Sequence, residues 1–341
     1  MEIINGSIAN LTARGFGNST TPTGATLTPQ FAVKTVIAVT SFILNFGLLI
    51  VHIMRPAYIN HFTVYLLFLY IANTVYLAGA FPFIFLSEVY NVEFPFHGLT
   101  TCLTFSYFHW VVSLVPVMCH MLIALNRLWA LKYPLGYRNY HTTKMACLIC
   151  VFTVLYVHLF KLPSLFIFKP NAYQVRLETS QICSIPVPQG YFYFTRVDSI
   201  LNRFAPLFII AGVYAYLVIK RFSRKLGKVT DASESVELAQ KLDNLDAGNM
   251  SRINGAGRQP QTVERSVVRP FLILTLTTIS VIICWLPLDV ILFYQWFLIG
   301  KPSLTIFTVF QYCHMMYMIQ LLFDPIMWIV SFRKARKNRP R

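Results

Sequence analysis

Two residues of the third long apolar stretch could do chemistry at its opposite ends. Cys102 offers a thiol that can form a disulfide, and Arg127, 25 residues later, offers a guanidinium that is always charged. At about 1.5 Å per residue, one continuous helix would separate them by roughly 37 Å, enough to reach both faces of a bilayer. The spacing therefore predicts a thiol at one face of a membrane and a charged guanidinium at the other face.

The chain has seven cysteines. Cys102 and Cys183 are the two expected in oxidising surroundings, so we expect a disulfide between them. Cys147 and Cys150 have the spacing of a redox or zinc motif, but no second pair of ligands accompanies them, and packing thiols are the better interpretation. We see no nucleophile with a base in reach and no metal cluster. We therefore predict no enzyme, metal site or cofactor.

The composition indicates that most of the chain lies in lipid. Of 341 residues, 56% are hydrophobic and 12% charged, and the mean hydropathy is +0.56. Seven apolar stretches approach or exceed the roughly 20 residues of a membrane-spanning helix, so we predict an all-α bundle of seven transmembrane helices. The predicted spans are 31–54, 62–87, 99–133, 143–168, 191–222, 266–297 and 303–330.

Charge predicts the orientation of the bundle. Lys and Arg are concentrated in the first, third and fifth connections and in the tail, which places those segments in the cytoplasm. Acceptor sequons at Asn5, Asn10 and Asn18 place the N-terminus outside and predict a glycoprotein. The net charge of +16 then reflects topology and attraction to anionic lipid, so we predict no nucleic-acid partner. The expected location is the plasma membrane.

Three regions are expected along the chain. We expect residues 1–30 to be a glycosylated, disordered extracellular segment and 31–330 to be the seven-helix domain. Within that domain, 229–261 is polar and poor in aromatic residues, which predicts a disordered cytoplasmic loop. Residues 331–341 form a short basic tail. No internal repeat is visible, which disfavours a transporter built from repeated halves but leaves a transporter open.

A series of landmark residues follows the spans in order. They are Asn45, Asn73, Asn126-Arg127-Leu128, Pro206 with Tyr214, Cys284-Trp285-Leu286-Pro287, and Asp324-Pro325-Ile326-Met327-Trp328. The series resembles the landmarks of rhodopsin-like (class A) G-protein-coupled receptors. The resemblance implies a receptor for an extracellular ligand that activates a heterotrimeric G protein.

The resemblance also implies a switch. In the family, the arginine at the position of Arg127 pairs at rest with an acidic neighbour and engages the G protein once the sixth helix moves. Here the neighbour is Asn126, and Val267 stands where many members carry Glu, so we expect elevated signalling without ligand. Pro287 removes a backbone hydrogen bond beside the large Trp285, so the sixth span is expected to pivot there.

Other departures from the family leave a second function open. Asn126, Leu128 and Trp328 replace residues that normally couple receptors to G proteins, and Trp328 has no hydroxyl to offer Tyr214. A non-signalling decoy receptor is therefore the main alternative.

Asn73 and Asp324 reverse the family's usual placement of an acid in the second helix and an amide in the seventh. A carboxylate near mid-membrane is costly unless it is hydrogen-bonded, and Asn73 is the expected donor to Asp324, which precedes Pro325. Pro116 replaces a common Ser ligand of the third helix. Sodium binding at this position is therefore doubtful.

By resemblance, polar residues in the outer halves of the spans line a ligand cavity. The candidate ligand-binding residues are His109, Ser113, Asp198, Asn202, Trp285, Asp289 and His314, with Glu88 near the mouth. Two buried carboxylates with histidines predict a cationic group on the ligand. The open alternative is a self-satisfied network, for example Asp198 with Arg203 or a histidine.

The expected chemical class of the ligand rests on fewer sequence features. His109 stands where amine receptors carry Asp, and alternating residues within 172–187 predict a β-hairpin, a feature of peptide receptors. We favour a short peptide over a small chemosensory molecule. Met318 stands where a retinal-binding protein needs Lys, which excludes a light sensor. His109 and His314 have no third partner for a metal.

Overall fold

The computed structural model describes residues 29–55, 59, 61–90, 99–167, 173–177, 180–184, 192–220, 223, 277, 279–294 and 304–337. The predicted glycosylation sites Asn5, Asn10 and Asn18, the predicted loop 229–261 and Val267 lie outside these residues.

Seven apolar helices follow one another in the described part of the chain, which confirms the predicted all-α bundle. They are α1 Pro29–Met54, α2 Thr63–Tyr90, α3 from Leu99 to Lys132, α4 Thr143–Ile167, α5 from Phe192 to Lys220, α6 Ile279–Phe293 and α7 Leu304–Lys337. Six are long and apolar enough to cross a membrane, and α6 is a shorter apolar helix. Which compartment each end faces stays a prediction.

The surface of the bundle shows that lipid is its solvent. Large apolar side chains point outward from α1 and α4, and those of Val36, Ile43, Leu148, Phe152 and Leu159 are between 57% and 73% exposed. Rows of such residues would be an aggregation liability in water but match the hydrocarbon of a bilayer. Polar side chains are buried between the helices instead, where the functional candidates lie.

Helix α3 runs through the centre of the bundle and is not uniform. Its first segment, Leu99–Ser106, is α-helical, a π-helical segment follows at Tyr107–Val112, and Leu114–Lys132 is α-helical again. Helix α5 has the same interruption at Ile200–Phe204. A π segment widens one turn and re-aims its side chains, and such segments are frequent at functional sites.

A β-hairpin lies between α4 and α5. Strand β1, Tyr173–Leu177, pairs antiparallel with β2, Ser180–Ser184, and Gln174 is opposite Cys183. The hairpin expected from the alternating sequence is thus confirmed, and β2 packs against the start of α3.

Gly79 on α2 marks a close approach to α3. A β-carbon added there would overlap the ring of Phe108 in the π segment. Gly79→Ala should therefore displace that ring and destabilise the bundle by about 1–3 kcal/mol, the usual cost of overpacking.

The midpoint of thermal unfolding of the purified protein measures this cost. Gly47→Ala on α1 is a matched control, because nothing lies within 4 Å of its added β-carbon. Equal midpoints for the two variants would show that α2 and α3 do not depend on this contact.

Candidate functional site

A narrow cavity lies between the helices in the half of the bundle that contains Cys102. Its volume is about 20 Å³, enough for about one water molecule. The lining residues are Tyr76, His109, Trp110, Ser113, Arg203, Trp285, Leu288, Leu292, His314 and Tyr317. Four predicted ligand-binding residues, His109, Ser113, Trp285 and His314, are therefore brought together here.

Arg203 and Asp289 form a buried ion pair beside this cavity. Arg203 lies in the π segment of α5, and its Nη1 donates to Asp289 Oδ1 on α6 at 3.4 Å. The guanidinium carbon also lies 5.5 Å from the ring centre of Trp110 on α3. One side chain thus connects three helices.

A second ion pair joins α4 to α5. Lys161 Nζ donates to Asp198 Oδ2, and both side chains are buried. The predicted site residue Asn202 donates from Nδ2 to Asp198 Oδ1 at 2.7 Å. Both carboxylate oxygens of Asp198 are therefore occupied.

These pairs decide between the two expectations for the carboxylates. Asp198 and Asp289 each have a cationic partner, so the self-satisfied network is the arrangement observed, with Lys161 in place of the expected Arg203 or histidine as the partner of Asp198. A cationic ligand consequently finds no free carboxylate among these described residues. Glu88 lies on α2, and its side chain is outside the description.

The aromatic and histidine rings that line the cavity also contact one another. The His109 and His314 rings lie 5.3 Å apart, and His314 Nε2 is 3.0 Å from the Tyr76 hydroxyl. Below them, Tyr317 meets Trp285 edge to face at 4.5 Å. Contacts therefore pass from the cavity to Trp285, the residue expected to sense the ligand.

A polar network occupies the middle of the bundle, around Asp324 on α7. Asn73 Nδ2 donates to Asp324 Oδ2 at 3.4 Å, which confirms the expected contact, and Gln320 Nε2 donates to Oδ1 at 2.6 Å. Sequence reasoning missed His120 on α3, whose Nε2 lies 3.2 Å from Oδ2. Asn73 also donates to Asn45 Oδ1 at 3.2 Å.

The remaining switch candidates surround this network. Pro287 lies within α6, and the buried Pro325 lies within α7. Trp328 packs its ring 4.8 Å from that of His52 and 6.4 Å from that of Tyr70. Tyr214 is half-buried on α5. Helix α7 then continues to Lys337, beyond the predicted end of its span at 330.

Arg127 lies at the other end of α3 with no carboxylate beside it in the sequence. Its guanidinium carbon is 4.2 Å from the ring centre of Phe62, and its Nε has no hydrogen-bond partner. The buried Asn126 instead bonds to the hydroxyl of Tyr137, which lies on the short helix Pro134–Tyr140 after α3. Burial raises the pKa of Tyr137, and Asn126 and Arg127 oppose that rise.

A cluster of aromatic and histidine rings joins this short helix to α2 and α3. His141 stacks on Tyr137 at 4.6 Å, lies 5.2 Å from both His61 and Trp129, and is 2.9 Å from the Tyr65 hydroxyl through Nε2. Burial lowers the pKa of His141 below its usual value, and His61 adds to the shift. The folded protein therefore favours the neutral ring.

Acid should loosen this cluster. Because the folded pKa of His141 is lowered, the neutral ring contributes stability above its usual pKa of about 6.5, and that contribution is lost as the pH falls through the folded value. The drop in unfolding midpoint between pH 7.5 and pH 5.5 should be smaller in His141→Phe, which keeps a stacked ring but cannot titrate. Identical pH dependence in both proteins would contradict this assignment.

Cys102 is disulfide-bonded, and Cys119, Cys147, Cys150, Cys284 and Cys313 are free thiols. The predicted partner Cys183 is on β2, whose side chains are outside the description, so the pairing stays a prediction. Among the described residues, no group of three or more His, Cys, Asp or Glu side chains could hold a metal ion.

A comparison with known protein families gives a match to most of the chain. The family model described as 7 transmembrane receptor (rhodopsin family) matches residues 44–328. That range includes every candidate ligand-binding residue and the network around Asp324. The comparison with curated proteins found no match.

Proposed function

The chain belongs to the rhodopsin family of seven-transmembrane receptors, and from that premise we propose that it binds an extracellular ligand at the plasma membrane and activates heterotrimeric G proteins. The observation that carries the proposal is a series of polar groups spaced along α3, α6 and α7 inside the bundle. His109 and Trp285 line the outer cavity, Asp324 lies midway, and Arg127 lies near the opposite end of α3.

We propose a short peptide as the ligand and place a small molecule second. The hairpin 173–184 follows the pattern on which the peptide expectation rests. A cationic group is no longer the preferred feature, since Asp198 and Asp289 already have Lys161 and Arg203 as partners. A disulfide from Cys102 to Cys183 would tie the hairpin to α3.

Arg127 is the proposed contact for the G protein. Its guanidinium rests on the Phe62 ring, a weaker restraint than an ion pair, so the resting state should release it readily. The decoy alternative is favoured by Asn126, Leu128 and Trp328, which depart from the residues that couple other members of the family.

The proposal can be tested in cells that express the full chain with a G-protein dissociation reporter. We expect a basal signal that Arg127→Ala removes and that Arg55→Ala, a matched change after α1, leaves in place. Peptide and metabolite libraries screened on the same cells should then yield an agonist. A wild-type signal equal to that of Arg127→Ala, both at rest and with every library, would favour the decoy.

A further inference from the structure

Several polar atoms around the outer cavity are buried without a hydrogen-bond partner. They are Arg203 Nε, Trp285 Nε1, the Tyr317 hydroxyl and His109 Nδ1, and all four residues line the cavity. The side chains of Arg203, Trp285 and Tyr317 are at least nine-tenths buried. Four of the unpaired buried polar atoms among the described residues therefore belong to the lining of one cavity.

Most of these atoms can donate a hydrogen bond. The Arg203 and Trp285 nitrogens can only donate, and the Tyr317 hydroxyl can also donate. A buried donor without an acceptor costs about 1–3 kcal/mol, so such groups in native proteins are normally satisfied by water or a ligand. The unpaired acceptor Asn202 Oδ1 is not part of the cavity lining. The donor-only nitrogens of Arg203 and Trp285 are thus left without an acceptor, and the Tyr317 hydroxyl and His109 Nδ1 can each donate or accept.

The nearby carboxylates cannot supply those acceptors in the observed arrangement. Asp198 bonds to Lys161 and Asn202 through its two oxygens, and Asp289 reaches only Nη1 of Arg203, at the long distance of 3.4 Å. Arg203 consequently keeps its Nε free for a second partner. A guanidinium offers paired N–H groups that match the two oxygens of a carboxylate.

We propose that this cavity recognises a carboxylate of the ligand, either the C-terminus of a peptide or a small organic acid. The proposal rests on the receptor function and deepens it, and it reverses the sign of the ligand charge expected from the sequence. Arg203 is the main contact, and Trp285 and Tyr317 donate further hydrogen bonds.

Recognition of this kind would act on the helices that are expected to move. The present cavity has room for about one water molecule, so α5 and α6 must separate to admit a carboxylate. The entering group would share the guanidinium with Asp289 and loosen the bond between α5 and α6. Because Trp285 lies on α6 four residues before Asp289, the same group reaches the expected pivot.

The experiment compares acids with their own amides. The purified full-length protein in lipid nanodiscs is mixed with benzoate, phenylacetate and Phe-terminated dipeptides, each also as its neutral amide, and the unfolding midpoint is recorded. A ligand that binds only the folded state raises this midpoint. We expect at least one acid to act at concentrations ten or more times lower than its amide. Dipeptide acids and simple acids form separate arms that distinguish the two sources.

Two variants test the contact itself. Arg203→Lys keeps a cation opposite Asp289 but removes Nε, and should weaken the effect of the acid at least tenfold. Trp285→Phe keeps an aromatic ring but removes the N–H, so it should also weaken the effect of the acid. Arg138→Lys, an exposed change on the short helix after α3, is the matched control and should leave the effect unchanged.

A second variant keeps the proposal testable if the first one does not fold. If Arg203→Lys is unstable, Arg203→Gln with Asp289→Asn removes the ion pair without leaving a charge unpaired, and it should also lose the preference for acid. Equal action of acids and amides, an unchanged preference in the variants, or no acid that stabilises the protein would each overturn the proposal and leave water as the partner of these donors. Basal G-protein signalling is independent of this readout, so the two proposals can fail separately.

Discussion

Asp324→Asn is expected to destabilise the bundle by about 1–3 kcal/mol, the cost of a buried donor left without an acceptor. Three nitrogen groups, from Asn73, His120 and Gln320, converge on the two oxygens of this carboxylate. Asparagine would supply one oxygen and turn an amide N–H₂ toward another donor. The unfolding midpoint of the purified protein measures the loss.

The reciprocal exchange makes this expectation specific. Asn73→Asp alone places two carboxylates side by side in a buried site, where like charges are destabilising. The double variant Asn73→Asp with Asp324→Asn restores one acid and one amide, so it should be more stable than either single variant. Additive losses in this double-mutant cycle would show that the two positions are not coupled.

Asn126→Asp is expected to lower ligand-independent signalling several-fold. The new carboxylate would attract Arg127, whose guanidinium has an aromatic partner in Phe62 but an unpaired Nε. An added resting restraint of about 1.4 kcal/mol shifts a two-state equilibrium tenfold, so even a partial ion pair is measurable. The readout is basal G-protein dissociation at matched surface expression.

Asn126→Leu is the matched control for that change. It removes the hydrogen bond to Tyr137 without adding charge, and its basal signal should not fall in the way expected for Asn126→Asp. A basal signal that is the same in wild type and Asn126→Asp would show that Arg127 is restrained by other contacts.

Features that follow from local pattern could be predicted from the sequence. Long apolar stretches place the helices because the bilayer core demands about 20 residues per span. The alternation before Cys183 gives the hairpin. Asp324 needed a partner at mid-membrane, and Asn73 is one of those observed. For each of these features, one physical requirement permits few structural arrangements.

The pairing within the ligand site could not be predicted in the same way. Which side chains meet depends on how each helix is rotated, and the π segments Tyr107–Val112 and Ile200–Phe204 alter that rotation without a sequence signature. Lys161 and His120 could still have been singled out, because an ionisable residue inside an apolar span is a functional candidate by default. Their partners required the structure.

Nucleotide exchange on purified heterotrimeric G proteins tests the receptor account most directly. Wild-type protein in nanodiscs, without ligand, should accelerate uptake of a non-hydrolysable GTP analogue by at least one heterotrimer of a panel, and Arg127→Ala should return uptake to the rate of empty nanodiscs. Uptake that is no faster with the wild type than with empty nanodiscs, for every heterotrimer and with every agonist candidate, would contradict the account.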